Sequence, residues 1–339
     1  MNFHLVKAGD RPLLAISQVP TDLVAAGADC YPGHTWKKRA IRSAVRVAAR
    51  TGLLQRLFPS VKLPLRGIPE PAFHDWLESL EAALGHPKLH PVLVWPGDPN
   101  RGRIYIYFLG CDGRKLAFCK LGLDERNSRL IEREHDALLR LQQLKLERTQ
   151  IPKVMANGVL GGSSYLVVAT TPAEARVTDW SRDASIESNI AEFAGKPRLI
   201  SRAEAEQLSW WPDIRSRFGM DTRFGQAIDR AAMTGIEVCR AHGDLNQTNV
   251  LRHGGEVWLL DWEQSCENAP CLTDAICVAV DSLVSMQPSD PAGNLKKFKR
   301  EFLELRNDST EEKVVLGLAY LGCANFTPAL SIIREWFGE

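Results

Sequence analysis

The sequence predicts an α+β fold in which an antiparallel sheet precedes a mainly helical region, and two observations carry that expectation. From Pro91 the pattern becomes strand-like: Val92 to Trp95, Ile104 to Leu109 and Leu116 to Lys120 are apolar or β-favouring runs separated by Gly and Asp turns. After residue 172 helical spacing dominates to the end of the chain. Residues 1–90 lie outside both patterns and carry two helix signals, which adds an N-terminal helical extension. The expected boundaries are therefore 1–90, 91–171 and 172–339.

A chain of 339 residues is long enough for one large two-lobed domain or two smaller ones, with ample core. Forty-two basic and forty-one acidic residues leave a formal charge of +1, so no global field recruits nucleic acid and none is expected as a partner. The eight cysteines show no C-x-x-C pair and no zinc spacing, and they read as reduced thiols of a cytoplasmic protein. Residues 1–14 lack the basic-then-apolar pattern of a signal peptide. Val314 to Ile333 holds no charge over twenty residues. It is broken by Gly317, Gly322, Asn325, Thr327 and Pro328, and so reads as two buried helices.

In the extension, Thr35 to Leu57 has helical spacing, with Ile41, Val45, Ala48 and Leu53 near one face. Lys37, Lys38, Arg39, Arg42, Arg46, Arg50 and Arg56 supply seven positive charges with no acid between them. Such a helix suits either a solvated face or contact with an anionic membrane surface or acidic partner across residues 37–56. Several prolines then stiffen the connector, and Pro71 to Leu84 predicts a short helix buried through Phe73, Trp76, Leu77 and Leu80.

Within the strand region, Cys111-Asp112-Gly113-Arg114 is a hairpin signal. Asn127 to Leu144 predicts a helix with Leu130, Ala137, Leu138, Leu141 and Leu144 as its stripe. Ile151 to Val159 and Tyr165 to Thr170 predict two more strands joined through Gly161-Gly162. In the helical region, Trp210-Trp211 suits either core packing or stacking on an acceptor, and Phe224 to Met233 predicts a helix buried through Phe224, Ala227, Ile228 and Ala231.

The chemistry concentrates in His242-Gly243-Asp244-Leu245-Asn246-Gln247-Thr248-Asn249-Val250-Leu251, followed by Leu259-Leu260-Asp261-Trp262-Glu263. Phosphoryl transfer from a nucleotide needs a carboxylate near the attacking hydroxyl and separate oxygen ligands that hold Mg2+ against the phosphates. Asp244, Asn249 and Asp261 supply those groups in that order. A loop wound back on itself can aim Asp244 and Asn249 into one place, and Val257 to Leu260 reads as a strand delivering Asp261 at its end.

These runs, with Thr273-Asp274-Ala275, resemble the signature of the aminoglycoside phosphotransferase and choline kinase family: HGD, then N, then an apolar strand ending in D-W, then a further Asp. The resemblance covers about residues 92–335, most closely 242–275. It implies a protein-kinase-like two-lobed fold with Asp244 as catalytic base, Asn249 and Asp261 as metal ligands, and Asp274 bracing the catalytic loop. By the same resemblance Lys120 would contact the nucleotide phosphates with Glu134 as its partner, Glu132 being the competing acid. Asn100 or Arg101, in the loop from Pro96 to Arg103, would assist. The backbone of Ala169 to Thr171 would meet the adenine.

The expected function is Mg2+-dependent transfer of the γ-phosphate of ATP or GTP to a hydroxyl of a small-molecule acceptor. Glu263 and Glu267 are candidates for binding a cationic acceptor or are surface groups. Gly243 replaces the Arg of the protein-kinase H-R-D triplet, which favours a constitutively formed loop and a small acceptor. Two alternatives stand beside this: a kinase of a sugar or lipid precursor working peripherally at the inner membrane face, and a non-catalytic scaffold.

Overall fold

The computed structural model describes the whole chain apart from Val19, residues 33–35, Arg66, residues 99–100, residues 178–185, Met220, Asp308 and Glu339. The chain divides into two compact units, residues 1–139 with 152–171 and residues 140–151 with 172–339. The first is built on an antiparallel sheet and the second is mainly helical, so the α+β class expected from the sequence is the one observed.

The sheet unit begins with β1 (Asn2–Ala8) and β2 (Arg11–Ser17), followed by α1 (Thr21–Ala28), α2 (Trp36–Arg50) and α3 (Leu54–Leu57). Then come β3 (Ser60–Lys62), α4 (Glu70–Leu84), β4 (His90–Val94), β5 (Arg103–Leu109), β6 (Lys115–Gly122), α5 (Glu125–Gln142), β7 (Val154–Leu160) and β8 (Ser163–Ala169). The eight strands lie in the order β3-β1-β2-β4-β5-β6-β8-β7, with every neighbouring pair antiparallel. Residues 1–90 thus contribute three strands to the same sheet, where the sequence had suggested only helices. Leu13, Leu14, Ala15 and Ile16 are all buried, so β2 shows an unbroken apolar run without the alternation that marks a half-buried strand.

Two cores form in this unit, and strand alternation assigns side chains to them. Phe3, Leu5, Ala15 and Leu93 pack with α4, where Phe73, Trp76, Leu77 and Leu80 are buried as their spacing predicts. The Trp76 ring meets Phe73, Phe108 and Tyr165 at centroid distances of 5.3, 5.7 and 5.3 Å. Val6, Leu14, Ile16, Val92 and Val94 pack instead with α1 and with Val45, Ala48 and Ala49 of α2. The apolar stripe of α5 differs from the expected one in detail. Ile131 is buried, Leu130 only half-buried and Leu144 exposed, because the helix ends at Gln142 and the last predicted position falls outside it.

In the helical unit, α6 (Ile186–Ala194), α7 (Trp210–Phe218) and α8 (Arg223–Met233) precede β9 (Ile236–Ala241). Phe224, Ala227, Ile228 and Ala231 of α8 are buried, as expected. Trp210 and Trp211 are also buried, and the Trp210 indole donates to the Asn268 carbonyl at 2.8 Å, which settles them as packing residues. A hairpin of β10 (Val250–His253) and β11 (Glu256–Leu259) follows, then β12 (Cys266–Pro270), α9 (Thr273–Met286), α10 (Pro291–Lys299), α11 (Glu311–Cys323) and α12 (Thr327–Phe337). The uncharged run from Val314 to Ile333 is divided at Asn325, whose φ of 60° ends α11, and no helix among the described residues is long and apolar enough to cross a membrane.

Candidate active site

Strand β9 delivers the chain to His242 and pairs with β12, which leads into α9. That arrangement brings Asp274, in the first turn of α9, against the start of the loop. Its carboxylate accepts the His242 N–H at 2.7 Å and the Gly243 N–H at 2.9 Å. Burial pushes the Asp274 carboxyl up to about 6, against the two amide donors. Two turns of helix further on, Asp281 accepts the Gln247 N–H at 2.8 Å, and burial raises its pKa as well. The loop is held at both ends by carboxylates from one helix.

His242 is fully buried and works within the same frame. Its Nε2 lies 2.8 Å from the Leu260 carbonyl and its Nδ1 accepts the Asp244 N–H at 3.3 Å, so the hydrogen bonds favour the tautomer protonated at Nε2. The ring packs on Trp262 with centroids 4.4 Å apart, and Trp262 Nε1 donates to the Leu259 carbonyl at 3.1 Å. Gly243 has φ 81°, and a Cβ there would stand 2.4 Å from the Gln264 carbonyl oxygen. Only glycine fits that turn.

Asp244 and Asn249 converge because a 3-10 turn, Gln247–Asn249, folds the loop back on itself. Asn246 caps this turn through its side-chain oxygen, which accepts the Thr248 N–H at 2.9 Å. The Asn246 amide donates to Asp244 Oδ1 at 2.8 Å, while the Asn249 amide donates to the Asp244 carbonyl at 2.8 Å and to Oδ2 at 3.2 Å. Burial, reinforced by the negative charges of Asp261 and Glu263, pushes the Asp244 carboxyl up to about 6 against the hydrogen bonds from Asn246 and Asn249.

The β10–β11 register pairs Val250 with Leu259, and the Leu260 N–H donates to the Asn249 carbonyl at 2.9 Å. Asp261 therefore follows directly beside Asn249, in a left-handed conformation of φ 65° and ψ 58°. The amide of Asn249 is committed to Asp244, which leaves its Oδ1 as the atom able to ligate a cation. An amide oxygen and the Asp261 carboxylate are hard oxygen donors of the kind Mg2+ prefers, so the residues present fit that ion. Glu263 is buried here, whereas Glu267 is half exposed and held by Arg240 at 2.8 Å and Arg140 at 3.1 Å. Those two ion pairs commit the Glu267 carboxylate to arginine partners at the surface.

In the sheet unit, Lys120 of β6 and Glu134 of α5 are both buried and form an ion pair at 2.6 Å. Glu134 shares the buried face of α5 with Ile131 and Leu138, three residues before and four after it. Glu132 points elsewhere and accepts the Ser164 hydroxyl at 2.8 Å. Asn100 lies outside the described residues. The loop that contains it is anchored at its end by the Leu123 N–H donating to the Gly102 carbonyl at 2.8 Å, and at its start by Arg11 donating to the carbonyls of Pro96 and Gly97. Of the residues expected to meet an adenine, Ala169 has its N–H taken by the Lys153 carbonyl at 2.8 Å, because strand pairing extends to this residue. That amide is committed within the sheet, whereas Thr171 lies in irregular backbone. Sequence reasoning gave no role to His242, Asn246 or Asp281. The Asx pattern Asn246-Gln247-Thr248 was a readable turn signal for the second of these.

No protein-family model matches the chain, and no curated protein does. Among solved structures, the chain is similar to an aminoglycoside-3'-phosphotransferase of type VIII, with 17% identity over 74% of this chain and 98% of that one and a TM-score of 0.45. It is similar to a wild-type aminoglycoside 2'-phosphotransferase-IIIa solved with GDP, at 12% identity, 75% and 99% coverage and a TM-score of 0.41. It is also similar to an ethanolamine kinase of Plasmodium vivax, at 11% identity, 89% and 84% coverage and a TM-score of 0.43.

Proposed function

We propose that the protein is a phosphotransferase that moves the γ-phosphate of ATP or GTP to a hydroxyl of a small molecule. The observation that carries this reading is the convergence of Asp244 and Asn249, with the Asn249 amide 3.2 Å from Asp244 Oδ2 in a loop fixed by Asp274. A carboxylate positioned in that way orients an acceptor hydroxyl and takes its proton as the oxygen attacks phosphorus. Its raised pKa makes it a stronger base than an exposed aspartate. The buried Lys120, held by Glu134, is suited to nucleotide phosphate oxygens. Asn249 and Asp261 would hold Mg2+, which when bound neutralises charge on the phosphates.

The Gly243 turn supports a small acceptor over a regulated protein substrate. Asp274 fixes the loop through backbone hydrogen bonds alone, so the arrangement needs no phosphorylated residue to assemble it.

Thermal unfolding with and without Mg2+ and ATP or GTP tests the reading, run beside Asp261→Asn. A ligand that binds only the folded state stabilises it by about 2.7 kcal/mol at a hundredfold excess over Kd. A Mg2+-dependent rise in Tm that disappears in the variant supports the proposal, and acceptors are then screened by release of nucleoside diphosphate. The absence of any shift with either nucleotide rejects it.

A further inference from the structure

Helix α2 has two apolar faces, and only one of them is used by the fold. Val45, Ala48 and Ala49 point into the core shared with α1. Trp36, Ala40, Ala44 and Val47, spaced at 4, 4 and 3 residues, are all exposed and form a second stripe that faces outward along the helix. Trp36 is 69% exposed and Val47 60%, and Leu57 of the following helix α3 is 61% exposed. A helix face that merely meets water would carry polar groups at those central positions.

Cations flank this stripe. Lys37, Arg39, Arg50 and Arg56 are exposed, and the sequence holds no acidic residue between Asp29 and Glu70. Asp29 lies 3.4 Å from Arg46 and 3.9 Å from Arg42, so it offsets charge on the inner side of the helix and leaves the outer rim positive. A chain with a formal charge of +1 has concentrated its positive charge here.

We infer that α2 and α3 form a docking surface for an anionic lipid bilayer, with Trp36, Val47 and Leu57 entering the headgroup boundary and the flanking arginines and lysine meeting lipid phosphates. The helix would lie in the plane of the surface, since an outward apolar stripe edged by cations matches an interfacial helix and not a spanning one. A second copy of the chain is a poorer occupant. Pairing this face with itself sets two acid-free cationic rims against each other. A nucleic acid would satisfy the charges but would leave the apolar centre of the face without a partner.

Flotation of the full chain with vesicles of phosphatidylcholine alone, or of phosphatidylcholine mixed with phosphatidylglycerol, tests the inference independently of catalysis. Binding is expected only to the anionic vesicles, and it should weaken as salt rises. Arg39→Gln with Arg50→Gln should lower partitioning by roughly 25-fold, about fivefold for each charge removed. Val47→Asp should lower it about tenfold or more, and quenching of tryptophan emission by brominated lipid should fall in Trp36→Phe. All these positions are exposed, so thermal unfolding of the variants should match the parent. No binding to anionic vesicles would overturn the inference. So would binding that Val47→Asp leaves unchanged, or a concentration-dependent dimer that Val47→Asp abolishes.

Discussion

Lys120 and Glu134, fourteen residues apart, bury an ammonium and a carboxylate against each other at 2.6 Å. Removing only the carboxylate takes the counter-charge at 2.6 Å away from a buried cation, a change that costs about 3–5 kcal/mol in buried pairs. Glu134→Leu should therefore lower stability in urea unfolding by that order, and Lys120→Met combined with it should recover a large part of the loss. Simple addition of the two single losses would show that the residues are not coupled.

The buried carboxylate at the start of α9 makes a prediction for pH. Asp274 has its pKa raised to about 6 by burial, above the usual carboxylate value, so folding favours its protonated form. Its contribution to stability is complete below about pH 4 and is lost as pH rises through about 6. The parent protein should thus gain stability relative to Asp274→Asn as pH falls from 7 to 5, measured by denaturant midpoints across that range. At pH 7 the variant should still lose activity, because His242 and Gly243 donate to separate oxygens of Asp274 and the amide turns an NH2 donor toward one of them.

Asp244→Asn keeps the size of the side chain and removes the carboxylate proposed as the base. Turnover should fall by about 10²–10⁴-fold, while the Tm rise with Mg2+ and nucleotide persists. A variant with full turnover on any acceptor would remove Asp244 from the role assigned to it.

Two glycines with positive φ should respond differently to alanine. At Gly243 (φ 81°) the added methyl meets the Gln264 carbonyl, so Gly243→Ala should lose both stability and turnover. At Gly162 (φ 85°) nothing lies within 4 Å of the new Cβ, and the cost should be the backbone term alone, about 1–2 kcal/mol. Chemical denaturation of both variants gives the comparison.

Much of this site is written in short-range patterns. The spacing of Glu134 relative to Leu138 and Leu141 identifies the inward acid, and the apolar run before Asp261 identifies the strand that delivers it. The support is harder to read. Asp281 reaches Gln247 across 34 positions, and an acid in an apolar helix gives no sign of which amide it will meet. His242 is likewise defined by Leu260 and Trp262, which local sequence cannot place beside it. The N-terminal hairpin was missed for a different reason. Burial of successive residues in β2 erases the alternation that would have marked it.

The left-handed backbone at Asp261 also constrains how this protein can diverge. Asparagine is one of the few side chains that accept that conformation at low cost, and Asp and Asn codons differ by a single base. One single-base step away from the present residue therefore abolishes the negative charge while suiting the turn's left-handed backbone. A lineage that took this step would keep a folded scaffold without the Asp261 carboxylate, and the same single step would restore it.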